Sequence, residues 1–138
     1  QWPSSAASDV YKRQVKQYLT ELNVDILKEN PNQGILIVSD LNEGINNMVI
    51  GCMDPILIME QHIFDMKSEN CEIAFELLKK NRDIVHGAFA LDDSGKKVIF
   101  RDTLQLENLD LNELEGSLNS LSLLLSEYSS TIIEYSKL

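Results

Sequence analysis

Four side chains of the types that hold metal ions fall in the middle of the chain: Cys52, His62, Cys71 and His86. A structural zinc site needs four such ligands, usually closely spaced in pairs so that one or two short elements grip the ion. Here nine, eight and fourteen residues separate successive members, so three different elements would have to converge on one point. Neither cysteine belongs to a Cys-x-x-Cys pair of the redox or zinc-knuckle kind. Ile50 and Met53 lie close to Cys52, and Ile73 and Ala74 follow Cys71; both cysteines therefore read as buried free thiols in a reducing cytosol. No metal and no other cofactor is expected.

Acid–base and nucleophilic chemistry can also be drawn on paper. His86 would be a general base oriented by Asp83, Asp92 or Asp102, and Ser94 a nucleophile. Ser94, however, falls in an Asp-Asp-Ser-Gly turn, where Ser and Gly serve the backbone. No Gly-x-Ser-x-Gly elbow exists to raise a serine above a sheet. The six glycines are isolated, without the spacing of a phosphate loop. The sequence thus announces no catalytic residue, and the chain reads as a non-enzyme.

The elements that would position these residues follow from periodicity. Val15, Tyr18, Leu19 and Leu22 predict a first helix ending near Asn23. Val24–Leu27 and Gly34–Val38 read as strands of a hairpin joined by Asn30, Pro31, Asn32 and Gln33, and Asp40–Gly44 as a second turn. Ile45–Met53 and, after Asp54-Pro55, Ile56–Phe64 read as two more strands, although the second also admits helical spacing. Asn70 is a cap for a helix with the apolar face Cys71, Ala74, Phe75, Leu78, and Lys79, Lys80 and Arg82 near its end suit the helix dipole. Val85–Leu91 and Lys97–Thr103 flank Asp92–Gly95 as a hairpin. Asp110 with Glu113 opens a long last helix whose Leu111, Leu114, Leu118, Leu121, Leu125, Tyr128, Ile132 and Tyr135 form a heptad stripe. Leu123, Leu124 and Ile133 lie outside that stripe. The order predicts an α+β fold: helix, antiparallel strands, helix, hairpin, long C-terminal helix.

At 138 residues the chain suits one domain, and its 43% apolar content supports a core without disulfides. The first fourteen residues lack apolar periodicity before Val10, and PSSAASDVYKRQ resembles a translated sequencing adapter. Residues 1–14 are therefore expected to be a non-native leader, and residues 15–138 the single domain. Twenty-two acidic residues against twelve basic ones give a formal charge of −10. Such a surface repels phosphate, which argues against nucleic acid and anionic membrane. The longest stretch without charge, Gly116 to Ser126, is eleven residues, against the about 20 needed to span a bilayer.

That uncharged stretch is the one feature that asks for a binding function. Leu118–Ser126, LNSLSLLLS, carries small polar residues where a solvated helix in so acidic a chain would carry Glu or Lys. Packing on the protein's own sheet explains one stripe. A second buried side would be a protein interface, with Leu118, Leu121, Ser122, Leu124 and Leu125 as its candidate residues.

The element order, with IVHGAFALDDSGKKVIFRDTL (Ile84–Leu104) and LDLNELEGSLNSLSLLLSEY (Leu109–Tyr128), resembles the YbjN family, which belongs with the CesT and Tir type III secretion chaperones. The resemblance spans Val15 to Leu138. It implies a type III secretion chaperone-like α+β protomer that forms a homodimer, has no enzymatic activity, and offers apolar grooves and sheet edges to an unfolded protein or peptide client. A cytoplasmic location goes with that reading. The alternative is a regulatory or scaffolding module whose folded partner docks on the acidic surface, an attachment that salt would weaken.

Overall fold

A computed structural model describes residues 6–138, with side chains described from Asp9 onward. Helix α1 (Ala6–Glu21) leads into strands β1 (Asp25–Asn30), β2 (Ile35–Asp40), β3 (Ile45–Met53) and β4 (Ile56–Asp65); a single 3-10 turn, Leu41–Glu43, separates β2 from β3. Helix α2 (Cys71–Asn81), strands β5 (Ala88–Leu91) and β6 (Lys97–Gln105), and helix α3 (Leu111–Lys137) complete the chain. The strands form one antiparallel sheet in the order β1-β2-β3-β4-β6-β5. The α+β expectation holds, and Ile56–Phe64, which admits either reading, is strand.

Alternation decides which sheet face meets the helices. Leu36 and Val38 of β2, Met48 and Ile50 of β3, Leu57 and Met59 of β4, Phe89 of β5, and Val98 and Phe100 of β6 are buried in one core with Val15 and Leu19 of α1, Ile73 and Leu77 of α2, and Leu114, Leu118, Leu121, Leu124 and Ile132 of α3. All three helices contribute to one core on one side, as period-two strands under period-3.6 helices require. Gln61 is buried among these apolar groups because both ends of its amide are satisfied: it accepts from Asn46 N and donates to Gly44 O, both at 3.0 Å. No described helix is long and apolar enough to cross a membrane.

Four expectations are corrected. Helix α1 starts at Ala6, well upstream of Val15; Ala, Lys, Arg and Gln in residues 6–14 are good helix formers even without an apolar stripe. Of the expected leader, residues 1–5 lie outside the described residues and 6–14 belong to α1. Strand β5 starts at Ala88, leaving Val85 82% exposed. Gly87, at φ +81°, lies so close to β6 that a Cβ there would meet the Phe100 ring at 2.5 Å.

The third correction concerns α2. Most of the face expected to be buried points outward: Cys71, Phe75 and Leu78 are exposed and Ala74 is half-buried, while Ile73 and Leu77 enter the core. Both sets are spaced for a helix face, and periodicity cannot say which faces in. The fourth concerns the thiols. Cys71 is exposed on the first turn of α2 rather than buried, and Cys52 is half-buried on β3. Burial pushes the Cys52 thiol up to about 11 against a smaller opposing pull from Lys12.

Candidate protein interface

The residues that could do chemistry do not assemble. Cys52 is on β3, His62 on β4, Cys71 on α2 and His86 in the loop before β5; among the described residues no three His, Cys, Asp or Glu side chains group in a way that could hold a metal ion. His62 Nε2 lies 2.7 Å from Asp65 Oδ1 on the surface. Ser94 Oγ donates to Asp92 Oδ1 at 2.6 Å inside the β5–β6 turn, and that hydrogen bond lowers the Asp92 carboxyl below its usual range. Asp102 accepts from Ser117 Oγ at 2.6 Å and from its neighbour's Thr103 N at 2.8 Å, which ties α3 to β6. Of the groups drawn around His86, Asp83 alone shares its cleft.

The protomer's own core takes three of the five interface candidates. Leu118, Leu121 and Leu124 are buried under α3, whereas Ser122 and Leu125 are half-buried. Ser122 Oγ donates to Glu43 Oε2 at 3.0 Å, and a Cβ on Gly44 would meet Leu125 Cδ1 at 2.8 Å. Ser120 is also engaged: its Oγ donates to His86 O at 2.6 Å and accepts from His86 N at 3.3 Å, pinning the 82–87 loop to α3. Small residues permit this close approach of loop and helix. Asn119, Leu123 and Ser126 remain outward, and Leu123, 67% exposed, lines with Val85 a cleft of about 360 Å³ between α3 and the loop.

A second surface was hidden by the misassigned face of α2. Phe75 is 62% and Leu78 67% exposed, and with Cys71 they form an i, i+4, i+7 stripe. Lys79 Nζ lies 5.1 Å from the Phe75 ring centre. A shallow cleft of about 180 Å³ runs from Leu78 to the edge strand β5, lined by Ala74, Leu77, Asn81, Phe89, Ala90 and Leu91. Asn81 closes that edge. Its side chain accepts from Phe89 N at 2.7 Å and donates to Phe89 O at 3.1 Å, as a neighbouring strand would. The signal in the sequence was present, as the apolar stripe itself, but not its direction.

The third surface is the sheet face without helices. Register places Lys28, Ile37, Val49, Glu60, Arg101 and Ala88 in one row across it, with Glu60 and Arg101 ion-paired at its centre. Ile35, Gly51 and Ile58 form the adjacent row, and Met53 leans over Gly51. Val49 and Met53 are exposed, and Ile35, Ile37, Ile58 and Ile99 half-buried. This apolar face ends at β1, an edge strand exposed along most of its length and interrupted by a bulge between Ile26 and Lys28.

The profile of the CesT_Tir_1 family matches residues 8–138. The chain belongs to that family. No curated protein matches it in sequence. Among solved structures, YbjN from E. coli aligns at 15% identity over 86% of this chain and 91% of its own, with a TM-score of 0.66. A chain of the HopA1–SchA chaperone–effector complex aligns at 11% identity over 99% and 100%, TM-score 0.65. The Yersinia pestis type III secretion chaperone SycH, in complex with a stable fragment of YscM2, aligns at 16% identity over 91% and 99%, TM-score 0.59. At these identities the likeness is one of fold, and it is the chaperone-like fold expected from Ile84–Leu104 and Leu109–Tyr128.

Proposed function

We propose that this member of the CesT_Tir_1 family is a non-enzymatic, chaperone-like cytoplasmic protein that works as a homodimer and holds an extended protein or peptide client. The observation that carries the reading is the outward apolar stripe Cys71–Phe75–Leu78 beside β5, together with an apolar sheet face, on the side without helices, that is open at β1. An exposed Phe or Leu loses roughly 1.5–3 kcal/mol of burial free energy by staying in water, and two helices meeting across a two-fold axis would recover it for both copies at once. The α2 stripe therefore takes over the dimerisation role from the buried leucines of α3; within the uncharged stretch, Leu123 and the half-buried Ser122 and Leu125 are left for contact with other chains.

The client would lie along β1. Asn81 occupies the outward backbone groups of Phe89 on the opposite edge, so strand addition is blocked there and open at β1. A strand added at β1 extends the open face, and its alternate side chains continue the row Ile37–Val49. The chaperone–effector neighbours support a protein client.

The test is amide hydrogen exchange with and without reduced, carboxymethylated α-lactalbumin as an unfolded client. The expected result is added protection at Asp25–Asn30 with no change at Ala88–Leu91. Protection at β5, or none at either edge, contradicts the reading.

A further inference from the structure

The cleft between α3 and the 82–87 loop is separate from the α2 stripe and from the β1 edge, and its charge is of one sign. Its walls are apolar: Ile84, Val85, Leu123, Leu124 and Tyr128. Two carboxylates, Asp83 and Glu127, complete it. Among the described residues neither carboxylate is in an ion pair. Of the neighbouring cations, Lys80 has its Nζ 5.0 Å over the Tyr128 ring, and Arg82, next to Asp83 in the chain, is exposed. The field in the cleft registers on Tyr128 itself: burial, followed by the charges of Glu127 and Asp83, raises its hydroxyl above the usual tyrosine range. His86 is the remaining titratable group on the wall, packed beside Gly116.

The volume, about 360 Å³, is at the small end for a ligand pocket and matches one or two side chains better than a cofactor. A largely apolar trough lined also by two carboxylates outside any ion pair complements a side chain with an aliphatic stem and a cationic head. The geometry points to this cleft as the seat of a basic residue, arginine or lysine, in a protein partner, its head between Asp83 and Glu127 and an adjoining apolar side chain on Leu123 and Val85. This rests on the protein-binding reading above and adds a sequence preference to it: a client chosen by a basic residue next to an apolar one, read at a site apart from the sheet edge.

The experiment is an amide-shift titration of the isotope-labelled full chain with N-acetyl-leucyl-arginine amide and with its neutral isostere, N-acetyl-leucyl-citrulline amide. Shifts are expected at residues 83–86 and 116–128, with the citrulline probe binding about fivefold more weakly. Because Asp83 and Glu127 are exposed, the pair of changes Asp83→Asn and Glu127→Gln leaves the fold intact and brings arginine down to the citrulline level. Equal affinity for the two dipeptides, shifts that map elsewhere, or no titration up to the probe's solubility overturns the assignment. A dimer that takes up an unfolded chain along β1 and ignores the dipeptide removes the cleft's role alone; a monomer that binds the dipeptide in the cleft upholds it while the dimer fails.

Discussion

Replacing Asn81 tests how the fold keeps one sheet edge closed. Its side chain makes two hydrogen bonds to Phe89, at 2.7 and 3.1 Å, and Phe89 itself is buried, so water does not simply take over. Each bond contributes about 1 kcal/mol net, and leaving a buried N–H unpaired costs about a further 1 kcal/mol. Alanine is the better helix former at the end of α2 by roughly 0.5 kcal/mol, which offsets part of the loss. Asn81→Ala should therefore destabilise by about 2.5 kcal/mol. Asn81→Asp keeps the acceptor for Phe89 N–H and loses the donor to Phe89 O, and should cost about half as much. Urea denaturation reads both: with a slope of about 2 kcal/mol per molar, the midpoint falls by about 1.2 M for alanine and about 0.6 M for aspartate. An alanine variant within about 0.3 M of the wild type would mean that the β5 edge is satisfied without Asn81, and the argument directing strand addition to β1 would fall with it.

Three further outcomes follow from the same structure. Since burial raises the folded Cys52 thiol to about 11, both states are protonated below pH 9 and its contribution is complete there; between pH 9 and 11 the unfolded thiol ionises first, so stability is lost, by about 2 kcal/mol. The stability gap between wild type and Cys52→Ala, followed by urea titration across that window, should narrow accordingly. Gly116 lies inside α3, and a Cβ there would meet His86 at an ordinary 3.5 Å; Gly116→Ala should stabilise by about 0.5–1 kcal/mol, seen as a higher midpoint. Cys71 is exposed on the proposed dimer face and Cys52 is not, so native-state Ellman titration should give one fast thiol, abolished by Cys71→Ser and slowed as protein concentration rises.

Element type was legible wherever a local signal and the tertiary fold agreed. Asn70 and Asp110 do cap α2 and α3, accepting from Ile73 N at 3.1 Å and Glu113 N at 2.8 Å, and Asp92–Gly95 does turn a hairpin. Direction was not legible. Cys71, Phe75 and Leu78 have the spacing of a core face, and only the placement of α2 at the sheet's edge strand turns them outward while Ile73 and Leu77 go in. Likewise the uncharged run in α3 was read as a second side buried against another protein, whereas over Ser120 the cover is the protein's own 82–87 loop. That contact joins residues 34 positions apart, and no local pattern encodes it. The acidic cleft beside it was invisible for the same reason: Asp83 and Glu127 are distant in sequence and meet only through the fold.

Light scattering coupled to size exclusion tests the central claim most directly, at about 50 µM protein in about 50 mM and about 500 mM salt, on the wild type and on Phe75→Asp/Leu78→Asp. The account predicts twice the 15.6 kDa protomer mass for the wild type at both salt concentrations. The double variant should run at the protomer mass and still melt in one cooperative transition, because both side chains are exposed in the protomer, at a lower midpoint since the dimer's contribution is lost. A monomeric wild type, a dimer that dissolves in salt, or a double variant that still dimerises would contradict it.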